Sequence, residues 1–186
     1  HVVNNADTNM RFLLATCRRY RSGHRQDQPG HAPMNAPLPA GNGLWFLNTH
    51  VTPAPAPAGM SIAEHLMPFG ESPPVHVHHD EEEIFHIKAG TIRFRVGDEE
   101  FVAGPGETCV APRGVPHSFR VESEKGARVL IITNGEGFDR MVREMARPAT
   151  DLGLPEPAPV TTDLAERLAA ACARNGIDIV GPPLAA

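Results

Sequence analysis

Residues 70–90 read GESPPVHVHHDEEEIFHIKAG, and after fifteen intervening residues the stretch 106–121 reads GETCVAPRGVPHSFRV. The two contain Gly70-x5-His76-x-His78-x4-Glu83-x6-Gly90 and Gly106-x5-Pro112-x-Gly114-x2-His117. Residues two apart on an extended strand point to one face, so His76 and His78 can offer their imidazoles to a single point. Glu83 opens the next strand on the face of Phe85 and Ile87, and His117 shares its face with Phe119 and Val121 on a later one. Three imidazoles and a carboxylate suit a divalent first-row transition metal, with no thiolate present to favour a soft metal or an iron–sulfur cluster. Four ligands on an ion that accepts five or six leave positions for water, substrate or dioxygen. Gly90, Gly106 and Gly114 supply turn conformations that a Cβ would resist, and Pro112 and Pro116 stiffen the approach to His117.

Outward from these stretches, short β-prone runs alternate with Gly, Pro and Asp punctuation, at the spacing of a sandwich or barrel. The pattern predicts strands over about 44–51, 60–67, 75–79, 83–88, 91–96, 99–103, 107–111, 116–121 and 127–133. Ala89-Gly90 and Gly97-Asp98 read as tight connections that make 83–103 a meander. In Thr91-Ile92-Arg93-Phe94-Arg95-Val96 the apolar residues face a core and both arginines face out. After Thr133 the period changes: Phe138, Met141, Val142 and Met145 form one helical stripe, predicting a helix over 137–147 ended by Pro148. A Pro-rich connector follows, then a second helix with Asp163 as N-cap, Glu166 three residues on, a stripe of Leu164, Leu168, Ala171 and Cys172, and a stop at Asn175-Gly176. Strands first and helices last, without βαβ alternation, predict an all-β barrel or sandwich with C-terminal helices packed outside.

The chain has 186 residues, 17 basic and 22 acidic, for a net charge of -5, and is 41% apolar. That is enough for one domain with a real core. Mild acidity argues against a nucleic-acid partner, and no apolar run approaches a membrane span. Three distant cysteines, Cys17, Cys109 and Cys172, form neither a zinc spacing nor a disulfide framework, so a reducing, cytoplasmic setting is the expectation. Residues 1–33 carry five arginines against two aspartates, while the remainder is acidic. We therefore expect 1–33 to be a disordered or non-native arm, 34–135 the barrel and 136–186 a helical extension. Phe12 to Cys17 is too short for a signal-peptide core before Arg18, Arg19 and Arg21.

The two stretches resemble the paired signature motifs of the cupin superfamily, matching nine positions over about 50 residues. The resemblance implies a double-stranded β-helix, a conical jelly-roll barrel, commonly dimeric, with the metal inside. Carried over by position, the ligands are His76, His78, Glu83 and His117, holding one divalent metal per chain from among iron, manganese, nickel, copper, cobalt and zinc. The run Asp80-Glu81-Glu82-Glu83 permits more than one carboxylate, but counting back six residues from Gly90 selects Glu83. Asp80, Glu81 and Glu82 are then expected to be a solvated lead-in to the strand. Where the second motif usually ends in Asn this chain has Val121, which bears on local turn geometry and not on the ligands.

The chain is also similar in layout to quercetinase-like monocupin dioxygenases. That likeness implies a metal-dependent oxidoreductase acting on a small aromatic or enol substrate, with Glu83 both a ligand and the acceptor of the substrate's proton. Two other classes remain open: a non-oxidative isomerase, epimerase or lyase with the metal as Lewis acid, and a small-molecule-binding module without turnover. His79 and His86 have the opposite strand parity to the ligands and are expected on an outer face or at a dimer contact. Of Glu64 and His65 only one can face the pocket, and parity does not say which. Cys109 reads as a small buried hydrophobe. Met60, Met67, Phe85, Phe94 and Phe119 read as core, and if they line a pocket they favour a weakly polar substrate. The lack of an inward Lys/Arg cluster argues against a phosphorylated sugar.

Overall fold

The computed structural model describes residues 43–186; the arm expected over 1–33, and Cys17 within it, lie outside the described residues. The strands are β1 (Leu44–Phe46), β2 (Thr49–Ala54), β3 (Ser61–Met67), β4 (Pro74–His78), β5 (Glu83–Ala89) and β6 (Ile92–Val96). They continue with β7 (Glu99–Ala103), β8 (Thr108–Ala111), β9 (His117–Val121) and β10 (Ala127–Thr133). Helix α1 (Gly137–Met145), β11 (Arg147–Pro148), helix α2 (Thr162–Arg174) and β12 (Ile177–Pro183) complete the chain. They build two antiparallel sheets, β11-β1-β2-β3-β10-β5-β8 and β12-β4-β9-β6-β7, facing each other as a cupin jelly roll. None of the described helices is long and apolar enough to cross a membrane.

Strict alternation puts one face of each strand inside. Phe85 and Ile87 on β5, Ile92 and Phe94 on β6, Phe119 and Val121 on β9 and Val129 and Ile131 on β10 form a continuous buried core between the sheets. Val121, standing where the motif usually has Asn, is fully buried there, and its backbone N–H and C=O pair with Glu71 and Gly70. The tight β5–β6 connection requires Gly90, whose φ is 86° and whose Cβ would stand 2.5 Å from the Gly126 carbonyl oxygen. Met60 is an exception to the expected core, being 36% exposed before β3 begins.

A second apolar cluster lies outside the barrel, where Met141 and Val142 of α1 and Leu168, Ala171 and Cys172 of α2 pack with Val51 and Ile177. The expected helical stripes are therefore present, and the structure makes four corrections elsewhere. The single strand read over 44–51 breaks at Leu47, whose φ is 52°, so β1 and β2 form a hairpin. Helix α1 stops at Met145, because Arg147 and Pro148 are drawn into pairing with Trp45 and Leu44. Helix α2 is capped by Thr161, whose Oγ1 accepts the Leu164 N–H, and Asp163 lies in its first turn. The C-terminal extension is also not purely helical: β12 enters the barrel and pairs Ile177 with His78 and Ile179 with His76.

Candidate metal centre

The candidate ligands are brought together by three neighbouring strands. β4 presents His76 and His78, β9 pairs His117 directly opposite His76, and β5 contributes Glu83 from the facing sheet. One donor atom from each of the four can be chosen so that all lie within 4.8 Å of one another. His78, Glu83 and His117 are buried, and His76 is the most open, with its side chain 12% exposed.

Each imidazole is fixed through Nδ1. His76 Nδ1–H donates to the Pro74 carbonyl at 2.8 Å, and His117 Nδ1–H donates to the Val115 carbonyl at 3.0 Å. His78 Nδ1–H donates to Glu81 Oε1 at 2.9 Å. The second ring nitrogens then converge on Glu83 Oε2, at 3.2 Å from His117, 3.6 Å from His78 and 4.0 Å from His76. An imidazole that donates from Nδ1 carries its lone pair on Nε2, so acceptors face a carboxylate across a gap that needs a proton or a cation. His78 Nε2 is buried without a hydrogen-bond partner. This donor set fits a divalent metal coordinated by three Nε2 atoms and one carboxylate.

The electrostatics agree with an ionised carboxylate among imidazoles. Burial would raise the Glu83 pKa, but the His117 ring 3.2 Å away and the neighbouring His78 and His76 rings bring it down to about 2. Burial, reinforced by His117, lowers His76 to about 4. At His78 burial opposes protonation, yet the Glu81 hydrogen bond and the charges of Glu83 and Glu81 lift its pKa above the ordinary imidazole value.

Register also separates Glu64 from His65. Glu64 turns outward to Lys88 and Arg128, the latter at 3.3 Å. His65 is opposite Val129 and Val51 on the inner face, 3% exposed, and its Nε2 has no partner. Burial dominates there and lowers the His65 pKa to about 4, against the pull of Glu83. The ring of Phe138, at the start of α1, stacks on His65 at 5.8 Å and lies 6.0 Å from His78. His86 is on the outer face as expected, bonded to Thr108 at 3.0 Å, and exposed His79 pairs with Asp178. Cys109 is buried in the core.

One expectation is overturned. Asp80 and Glu82 are exposed, but Glu81 is 3% exposed and is no part of a solvated run. Its carboxylate turns inward because His78 and the amides of Gly137 and Phe138 all need an acceptor there. The sequence signal that could have found it is Gly135-x-Gly137, since a Cβ on Gly135 would meet Glu81 Oε2 at 2.5 Å.

Among known proteins, residues 63–133 match the cupin domain family, Cupin_2. No curated protein matches the chain. Among solved structures, TT1209 from Thermus thermophilus is 30% identical, with 47% of this chain and 84% of that one covered and a TM-score of 0.45. A predicted oxalate decarboxylase from Thermotoga maritima is 20% identical, covering 46% of this chain and 78% of that one with a TM-score of 0.43. A putative sugar phosphate isomerase from Acidithiobacillus ferrooxidans is 22% identical, covering 40% and 49% with a TM-score of 0.38.

Proposed function

We propose that this chain, whose residues 63–133 match the cupin domain, is a metal-dependent oxidoreductase of the dioxygenase type acting on a small aromatic or enol substrate. The observation that carries the reading is the convergence of the three partly or fully buried Nε2 atoms on Glu83 Oε2. His76, His78, His117 and Glu83 would hold one divalent transition metal. Such an ion, when bound, would supply acidification of an enol or phenol oxygen and a redox partner for dioxygen.

The chain's own residues perform the remaining tasks. The Pro74 and Val115 carbonyls and Glu81 hold the imidazoles in the tautomer that leaves Nε2 free. Glu83, ionised and buried, would be the carboxylate that accepts a proton from the substrate oxygen, the role that the quercetinase-like resemblance implies for it. Phe85 lies against the His117 ring at 6.5 Å, and with Phe94 and Phe119 it gives the site an apolar floor. Lys88, Arg93, Arg95 and Arg120 occupy outward positions on the surrounding strands, which supports a weakly polar substrate over a phosphorylated one. His65, neutral with an unpartnered Nε2, would offer the interior a hydrogen-bonding group for a substrate oxygen. The proposal keeps the cytoplasmic homodimer that cysteine usage and the superfamily resemblance imply.

Elemental analysis of untagged protein purified without chelator, paired with oxygen-electrode traces on flavonols and enols, tests the reading. A redox-capable metal near one per chain with substrate-dependent oxygen uptake is the expected result. Zinc with no uptake, even after reconstitution with iron, nickel or manganese, would replace it with a Lewis-acid enzyme or a binding protein.

A further inference from the structure

We propose that Glu81 is a positioning residue that couples metal ligation by His78 to the docking of helix α1 over the barrel. The inference rests on the metal reading above and adds a residue that neither binds the ion nor touches substrate. The Glu81 carboxylate makes three hydrogen bonds while almost fully buried. Oε1 accepts from His78 Nδ1 at 2.9 Å and from the Phe138 amide at 2.7 Å, and Oε2 accepts from the Gly137 amide at 3.1 Å. Helix α1 has no side-chain cap of its own, since Glu136 makes no capping bond. Its first amides are therefore satisfied by a carboxylate 56 and 57 residues earlier in the chain.

The surroundings are built to admit this carboxylate. A Cβ on Gly135 would lie 2.5 Å from Glu81 Oε2, and one on Gly137 would lie 2.5 Å from the Asn175 carbonyl and 3.3 Å from Glu81 Oε1. One anion thus stabilises a helix N-terminus and holds a histidine in the ligating tautomer. His76 and His117 are anchored instead by neutral backbone carbonyls. A carboxylate acceptor strengthens the Nδ1–H bond and raises the donor power of Nε2. The amides of docked α1 hold the Glu81 carboxylate in the one position where it receives His78 Nδ1–H, so docking favours metal binding by pre-orienting the ligand, and the metal favours docking by the same factor. Docked α1 sets the Phe138 ring against His65 and His78, so the coupling reaches the inner face of β3 beside the ligands.

The test uses the full chain and cobalt(II) as probe. In metal-free parent protein at mildly alkaline pH, two-bond nitrogen–proton NMR is expected to show His78 as the Nδ1–H tautomer. Cobalt is expected to slow hydrogen exchange at the Gly137 and Phe138 amides. In Glu81→Gln the amide NH2 opposes at least one of the three donors. Cobalt affinity is then expected to fall about ten- to hundred-fold, the visible cobalt bands to shift, and the exchange response to vanish. An Nε2–H tautomer at His78, or parent amides that ignore bound cobalt, would overturn the proposal without any variant having to fold. Parent protein that takes up no cobalt, nickel or iron sinks the metal reading and the coupling with it, a result distinct from bound cobalt with unresponsive amides.

Discussion

His76 and His117 are steadied by carbonyls two residues back along their own chain, whereas His78 is steadied by a carboxylate that also holds a helix 57 residues further on. The first side of the site is assembled from local strand geometry, and the second exists only once the C-terminal segment has folded against the barrel. β12 adds to the contrast. It pairs with β4 beside both of that strand's histidines, so the ligand strand has β9 on one edge and C-terminal backbone on the other. The extension therefore belongs to the scaffold of the site and is not merely packed outside it.

The largest effect is expected on the local side. His76→Ala removes one of four ligands. Structural four-ligand zinc sites bind with roughly 10–16 kcal/mol, and a quarter of that, about 2.5–4 kcal/mol, is roughly a hundred- to a thousand-fold in affinity. The barrel should stay folded, because His76 is the most open of the four and the apolar core lies below it. Metal content after dialysis, read beside far-UV circular dichroism, checks both halves. Unchanged metal content would mean that the ligand assignment is wrong.

The next effect concerns the wall that α1 completes. The His65 pKa is lowered from 6.5 to about 4, so between those values the unfolded chain binds the proton and the folded chain does not. Stability must then fall as pH drops from 6.5 towards 4, by on the order of 3 kcal/mol for this residue. His76, lowered to the same range, adds to the loss on the ligand side when no metal is present. Thermal melts of metal-free parent and His65→Phe at neutral and acid pH separate the two contributions. The variant should lose the His65 share and keep the pH dependence that His76 and the other ligand-side groups impose. If its acid loss equals the parent's, then His65 is not buried neutral against Phe138.

The same contrast marks what was legible in the sequence. Strand parity and turn glycines act over a few residues, so most strand positions, the shared face of His76 and His78 and the apolar stripes of both helices are legible directly, while the addition of Glu83 and His117 as ligands rests on the cupin resemblance. Glu81 is not legible from its own neighbourhood, where a carboxylate in an acidic run looks solvated; its only sequence trace is the distant Gly135-x-Gly137, where the Gly137 and Phe138 amides claim it. Glu64 and His65 stayed interchangeable until the pairing of β3 with β10 fixed which face is inside. β12 lies within the segment expected to be a helical extension, and its alternation lasts only from Ile177 to Ile179 before Gly181 and two prolines. It is a strand because the free edge of β4 offers it hydrogen bonds, and that is tertiary context overriding a weak local pattern.

The smallest effect supplies a control for that comparison. Thr161 caps α2 by accepting the Leu164 N–H at 3.2 Å, a bond within a single helical turn and remote from every ligand. Glu81 caps α1 by the same chemistry, but its carboxylate is shared with His78. Thr161→Ala should cost about 1 kcal/mol, the ordinary worth of an N-cap, and should leave cobalt affinity at the parent's value. If capping alone transmitted to the metal, through general loosening of the C-terminal segment, then Thr161→Ala would weaken cobalt in proportion to the stability lost. A melt shifted down by a few degrees with an unchanged cobalt titration would instead locate the coupling in the shared carboxylate, because both helices pack in one cluster and only α1 is joined to a ligand by its cap.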